Sequence, residues 1–274
     1  MRRCRWIAAA VGGALSLAWG QAAFAQTAEE IKKGIDQYRE MLQDGNPADL
    51  TVAKGEGLWT KKQGPRNASL EQCDLGKGPG VVAGAYAELP RYFADTGRVM
   101  DAETRIVHCI ATLQARDVVA LTSKAFSRGG QPQTELEALV AYVVEESRGV
   151  PVNLPQKHPE EVAAYKRGEK AFFYRAGPYD FACASCHSDD NQRIRLQELP
   201  NLTEKASAQR AFTTWPAYRV SQGALRTMQW RMYDCFRQQR FPEMIYGSQV
   251  SIDLITYLGV KAKGAPMDSP AIKR

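Results

Sequence analysis

Apolar positions near the end of the chain recur at helical intervals. Ile252, Ile255 and Leu258, joined by Leu254, form a stripe with spacings of three and four rather than the alternation of a strand. The pattern predicts a helix from about Ser248 or Ser251 to Gly264. A matching helix is predicted from Thr134, a good N-cap, to Gly149, a good stop. An earlier helical segment, Tyr165 to Arg175, carries a glycine and aromatic residues. Val150 to Glu160, with Pro151, Pro155 and Pro159, reads as a linker. In each half the long stretch before the closing helix reads as irregular. At the N-terminus, Arg2, Arg3 and Arg5 precede an apolar run from Trp6 to about Trp19, which ends at Ala23-Phe24-Ala25. That is the pattern of a secretory signal peptide, with a core too short to span a bilayer. No later run approaches about 18 apolar residues, so no membrane insertion is expected.

The chain repeats itself. Lys54 to Cys73 aligns without gaps on Arg167 to Cys186, placing Gly55 on Gly168, Trp59 on Phe172 and Gly64-Pro65 on Gly177-Pro178. Further on, Pro90 and Tyr92 match Pro216 and Tyr218, Gly97 matches Gly223, and Arg105-x-x-x-Cys109 matches Arg231-x-x-x-Cys235. Leu139 to Tyr142 then matches Leu254 to Tyr257, and Gly149 and Pro151 match Gly264 and Pro266. Ordered matches at similar offsets predict a duplicated unit, with domains at 26–152 and 153–274 after a signal peptide at 1–25.

One copy carries a motif that the other lacks. Cys183-Ala184-Ser185-Cys186-His187 is the C-x-x-C-H pattern of covalent haem c attachment: two thiols add to one edge of the porphyrin, and the adjoining imidazole reaches the iron. A zinc site would need further ligands, and the only other histidines are His108 and His158. The aligned stretch of the first half reads Leu70-Glu71-Gln72-Cys73-Asp74, without one thiol and without the imidazole. The expectation is therefore a mainly α chain of two tandem class I cytochrome c-like domains, the first without haem, and one covalent haem c. In an oxidising compartment, the first half's Cys73 and Cys109 are expected to pair as a disulfide that pins a domain lacking its porphyrin.

The second axial position is open to two kinds of ligand. Met228, Met232 and Met244 lie where a cytochrome c methionine is expected, and Cys235 is the remaining unassigned cysteine of the mature chain. If the stretch is helical, Arg231 lies one turn before Cys235 on the same face, where a guanidinium can favour thiolate and grip a small oxyanion. Arg237 and Arg240 add charge nearby. Signal cleavage removes three arginines and no acid, taking the formal charge from +6 to +3. With basic residues scattered among acids, no nucleic-acid partner is expected.

With Arg231-Met232-Tyr233-Asp234-Cys235-Phe236-Arg237-Gln238-Gln239-Arg240 beside the C-A-S-C-H and the duplicated halves, the sequence resembles the SoxA family, the larger subunits of the SoxAX cytochromes of bacterial sulfur oxidation. Leu70 and Asp74 depart from the two-haem members and match the single-haem variety. The resemblance implies a periplasmic L-cysteine S-thiosulfotransferase that works with the small cytochrome SoxX. It joins thiosulfate to a cysteine of the carrier SoxYZ, with electrons leaving through haem. It also implies His187 and Cys235 as axial ligands, Cys235 as a persulfide and catalytic residue, and Arg231 as the substrate-binding residue. The alternatives are an electron-transfer cytochrome with methionine opposite His187, or a haem-bearing scaffold whose site lies on another chain.

Overall fold

Two glycines allow the closest helix crossings. The computed structural model describes residues 45–194 and 197–274, with scattered positions between 27 and 41; the signal-peptide stretch 1–25 lies outside the described residues. Helix α1 (Ala48–Thr60) carries Gly55, where a Cβ would collide with the carbonyl of Ala138 and come within 2.9 Å of Tyr142 Cβ. The intended partner is therefore backbone itself, on the helix Glu135–Glu145, which a capping box from Thr134 to Glu137 starts. The pattern recurs between Pro159–Phe173 and Gln249–Lys261. There a Cβ on Gly168 would collide with the Asp253 carbonyl and come within 2.9 Å of Tyr257 Cβ. Each crossing is sealed by an aromatic pair: Trp59 on Tyr142 at 5.8 Å, and Phe172 on Tyr257 at 5.2 Å. Burying Trp59, Phe172 and Tyr257 contributes on the order of 2–3 kcal/mol each, and the half-buried Tyr142 less.

In chain order the helices are α1, α2 (Ala102–Gln114), α3 (Val119–Thr122), α4 (Glu135–Glu145), α5 (Pro159–Phe173), α6 (Ala184–His187), α7 (Lys205–Thr213), α8 (Met228–Gln238) and α9 (Gln249–Lys261). Antiparallel hairpins precede both α2 and α8. The first pairs β1 (Arg91–Phe93) with β2 (Arg98–Met100), and a small ladder joins β3 (Arg193–Ile194) to β4 (Gln197–Glu198). The hairpin before α8 pairs β5 (Ala217–Arg219) with β6 (Ala224–Arg226), and β7 (Ala271–Lys273) lies parallel to β5. The stretches expected to be irregular thus hold a hairpin and a helix in each half. Strands of three residues are too short to display a period of two, which is why the sequence pattern missed them.

The proline-rich segment is not a free linker. Val152 and Leu154 are buried, and Val150 and Val152 exchange backbone hydrogen bonds with Gly264, Ala265 and Met267. Extended, proline-set backbone looks the same in sequence whether it is solvated or paired. Helix α5 starts inside the expected linker, at Pro159. Glu161 accepts from the backbone N–H groups of Lys157, His158 and Tyr92, and the His158 ring stacks on Tyr92 at 3.6 Å.

Residues 41–274 form one unit, and its largest hydrophobic cluster draws on both halves, from Trp59 and Leu139 to Phe172 and Tyr257. Buried polar contacts also cross between them. Arg226 donates to Glu137 at 3.1 Å, and Gln229 ties the start of α8 to Asp101 at 2.7 Å and to Glu103 at 3.0 Å. Cys73 and Cys109 form a disulfide with their Cα atoms 5.6 Å apart. Among the described residues no helix is long and apolar enough to cross a membrane.

The glycine crossings yield a paired prediction. Gly168→Ala and Gly55→Ala should each lower stability by about 1–3 kcal/mol or more, because backbone must move. Gly57→Ala, two residues on and on the opposite, open side of α1, should instead gain about 0.5–1 kcal/mol. Thermal melts of the three variants check the contrast. Removing the bridge by Cys109→Ser should cost about 2–5 kcal/mol in the same assay.

Candidate functional site

The Cys-x-x-Cys-His stretch folds as a single tight turn. Ser185 Oγ accepts from Ala182 N–H at 3.0 Å, and the carbonyl of Cys183 receives the N–H groups of Cys186 and His187. This places Cys183 and Cys186 about one helical turn apart with His187 following, and neither thiol is bridged. The His187 ring contacts the Pro200 carbonyl through Nδ1 at 2.8 Å. A carbonyl only accepts, so Nδ1 carries the proton and Nε2 keeps its lone pair for a metal. Burial lowers the His187 pKa, the Pro200 contact opposes this, and the Arg231 charge adds to the lowering, which leaves a neutral imidazole.

Helix α8 brings the second group of residues. Its start is fixed by Thr227, which caps Trp230 N–H at 3.2 Å, and by the buried anchors of Gln229. Arg231 and Cys235 follow one turn apart on one face. The half-buried Cys235 interacts electrostatically with Cys183, Cys186, Arg231, Arg219 and Asp234, so the chain brings Cys235 near the thiols of the haem motif and Arg231 near Cys235 and His187. Burial pushes the Cys235 thiol up, and Arg231 and Arg219 only partly offset it. The guanidinium alone therefore does not produce a thiolate there. Burial likewise drives Cys183 up to about 12, with Cys235 a lesser cause.

Two site residues escaped the sequence reading. Asp234 is buried and accepts from Arg237 at 2.9 Å, Gln238 at 2.6 Å and, loosely, Arg231 at 3.4 Å. Its position three residues after Arg231 was the available signal. Arg219 lies on β5, half-buried, and its only signal is where it falls in the repeat. Arg240 stands over the Tyr179 ring at 5.5 Å, and Arg237 is largely exposed. Of the candidate methionines, Met228 and Met244 are buried in the core. Met244 lines a cleft with Tyr233 and Arg237, on the face of α8 turned away from Cys235. Met232 sits a turn from Cys235, packed against the core.

The first half is arranged differently at the matching positions. Leu70 is buried, Cys73 is bridged to Cys109, and the Asp74 carboxylate accepts from Gly76 and Gly78 N–H at 2.6 and 3.0 Å. Arg105 grips Asp95 through two contacts of 2.8 and 2.9 Å. The second half, by contrast, fits a c-type haem: two unbridged thiols, an imidazole with Nε2 available and a third thiol close to the other two. Among the described residues no group of three or more histidines, cysteines or acids is arranged to hold a metal ion by itself.

Comparison with known proteins shows what the chain as a whole is similar to. The SoxA/TsdA cytochrome c domain matches residues 54–152, the half without the Cys-x-x-Cys-His. The chain is 49% identical over 242 residues to the L-cysteine S-thiosulfotransferase subunit SoxA of Hydrogenophilus thermoluteolus, covering 88% of each chain. It is 31% identical over 250 residues to a SoxA subunit of Hydrogenobacter thermophilus, covering 90% of this chain and 89% of that one. The fold matches the crystal structure of SoxXA from P. pantotrophus with a TM-score of 0.71 at 23% identity, over 87% of this chain and 84% of that one.

The cysteine arrangement predicts a labelling pattern. Alkylation of the unreduced, haem-free chain should mark the peptides of Cys183, Cys186 and Cys235 and leave those of Cys73 and Cys109 unmarked until reduction. Peptide mapping by mass spectrometry reads this directly.

Proposed function

This chain belongs to the SoxA family, and from that premise we propose how its two halves and its site share the work of an L-cysteine S-thiosulfotransferase. The chain is a cytochrome c-type protein, and its expected partner is a SoxX-type small cytochrome, supported by the likeness to SoxXA. We read 26–152 as a cytochrome c-like domain that holds no haem and 153–274 as the domain that holds one. Cys183 and Cys186 would attach that haem covalently, and His187 and Cys235 would be the side chains that hold its iron. The substrate is thiosulfate, the acceptor is a carrier cysteine of the SoxYZ type, and the compartment is the periplasm, where an exported chain with this disulfide belongs.

One observation carries the reading: Arg231 and Cys235, one turn apart on α8, converge on the two thiols and imidazole of the haem motif. Arg231 offers a planar donor fork to sulfonate oxygens, and its long contact with Asp234 leaves donors to spare. The Cys235 sulfur takes the terminal sulfur of thiosulfate. A new S–S bond forms between the two anions, and the pair of electrons released is what bound haem, with its partner cytochrome, would carry away. The carrier thiolate then attacks this bond by thiol–disulfide exchange, taking the S–SO₃⁻ group and returning Cys235 as thiolate.

Cys235→Ala should abolish conjugation of thiosulfate to the carrier while the pyridine haemochrome assay still counts one haem per chain. A variant that turns over normally would move the chemistry to another residue, and two haems per chain would contradict the division between the halves. Arg231→Ala should lower kcat/KM for thiosulfate by one to two orders of magnitude, since a charge-assisted contact contributes about 1.5–3 kcal/mol. Arg231→Lys should recover only part of this.

A further inference from the structure

The two halves treat their matching arginines in opposite ways. Arg105 of α2 is fully neutralised: Asp95 takes its guanidinium in a double contact, Asp74 O accepts from Nε at 2.6 Å, and its Cζ lies 4.0 Å from the Phe93 ring centre. The hairpins before α2 and α8 share one register, Phe93 opposite Arg98 and Arg219 opposite Ala224. Through that register, Phe93 is replaced in the second half by Arg219, and Asp95 by Ser221. The second half has thus lost the neutralising carboxylate and gained a second guanidinium at the position that faces the first.

Arg219 is placed as that substitution implies. It feels the charges of Arg231, Asp234 and Cys235, and its Nε is buried with no hydrogen-bond partner. A buried donor without a partner costs about 1–3 kcal/mol, so it is retained where something accepts from it. Lys273 adds to the positive charge. It pairs in register with Arg219, and its Nζ and the Arg231 Cζ each lie 5.9 Å from the Trp215 ring centre. Asp234 interacts with both Arg219 and Arg231, the latter at 3.4 Å, and it also takes Arg237 and Gln238. Burial, followed by the charge of Arg231, lowers even the Arg219 guanidinium pKa, a penalty that a bound anion would relieve.

We propose that Arg219 and Arg231 together form a two-guanidinium site for a sulfonate beside Cys235, with Arg219 a substrate-binding residue whose unpaired Nε donates to an oxygen of the bound anion. This rests on the thiosulfate reading above and adds a second residue to it. A dianion with three equivalent oxygens can accept from two forks at once, whereas one guanidinium satisfies only part of it. The other anion that could meet Arg219 is a haem propionate, and the two sources give different results when the residue is changed.

The test uses the haem-loaded chain with its partner cytochrome and carrier. In Arg219→Gln, KM for thiosulfate and the inhibition constant of sulfate, a non-reacting dianion, should both rise roughly tenfold to a hundredfold. Haem content and the Soret maximum should stay at their wild-type values. Arg219→Lys should give a smaller rise in both constants, and the fall of kcat/KM with added salt should be shallower in Arg219→Gln than in wild type. Unchanged KM and sulfate inhibition in either haem-loaded variant would overturn the proposal. So would a loss of haem or a shifted Soret band in Arg219→Gln with KM unchanged in Arg219→Lys, the result expected of a propionate partner. A wild-type complex that fails to conjugate thiosulfate would instead defeat the functional reading itself.

Discussion

Close approach of helix backbones at Gly55 and Gly168 is the constraint on which the remaining geometry rests. Without side chains at these points, α1 lies on α4 and α5 on α9 at backbone contact, and the aromatic pairs Trp59–Tyr142 and Phe172–Tyr257 close over each crossing. With α5 fixed, the chain leaving it must turn through Gly177, which packs against the backbone of Arg240, and enter the Cys-x-x-Cys-His turn from one direction. From the other side, α8 is held by polar contacts that reach into the first half, Gln229 to Asp101 and Glu103 and Arg226 to Glu137. Such buried charged contacts contribute little net stability, but breaking one partner costs several kcal/mol, so they serve to fix orientation. The half without the haem motif thereby helps to aim the helix that carries Arg231 and Cys235.

The two halves form an internal control for the site's electrostatics. In the first half Asp95 meets the charge of Arg105, Cys73 is bridged to Cys109, and the Asp74 carboxylate is folded onto the N–H groups of its own loop. At the corresponding places the second half keeps a thiol, an imidazole and an excess of positive charge. On the proposed reading, the first half became a support and the second kept the chemistry. The Cys235 thiol is a measure of what the second half forgoes: burial raises it despite two neighbouring guanidiniums. A ligand that withdraws charge from the sulfur is what that environment lacks, and a metal at Nε2 of His187 is the kind of partner it fits.

Much of this was legible in the sequence because it depends on short spacings. Gly55 on Gly168 and Tyr142 on Tyr257 are identities, Trp59 on Phe172 is aromatic on aromatic, and together they mark the helix crossings. The stripe of Ile252, Ile255 and Leu258 marked α9, and Arg231 four residues before Cys235 gave a shared face once α8 proved helical. What stayed hidden depends on contacts distant in sequence or on very short elements. The three-residue strands carry no readable period, and residues 150–154 looked like a linker because paired and solvated extended backbone have the same composition. Asp234 was visible as a spacing but gave no sign of being buried. Arg219 could be recognised only by asking what replaced Phe93, a question that the register of the two hairpins raises.

On the proposed function, the Cys235 sulfur itself carries the substrate. The most direct test is to mix the haem-loaded complex with thiosulfate and oxidant but no carrier, quench without reductant, and map the peptides by mass. An added S–SO₃ group is expected on the peptide containing Cys235, removed when carrier thiol is supplied in a second step. An adduct on another residue, or turnover of the carrier with the Cys235 peptide never labelled, would contradict it.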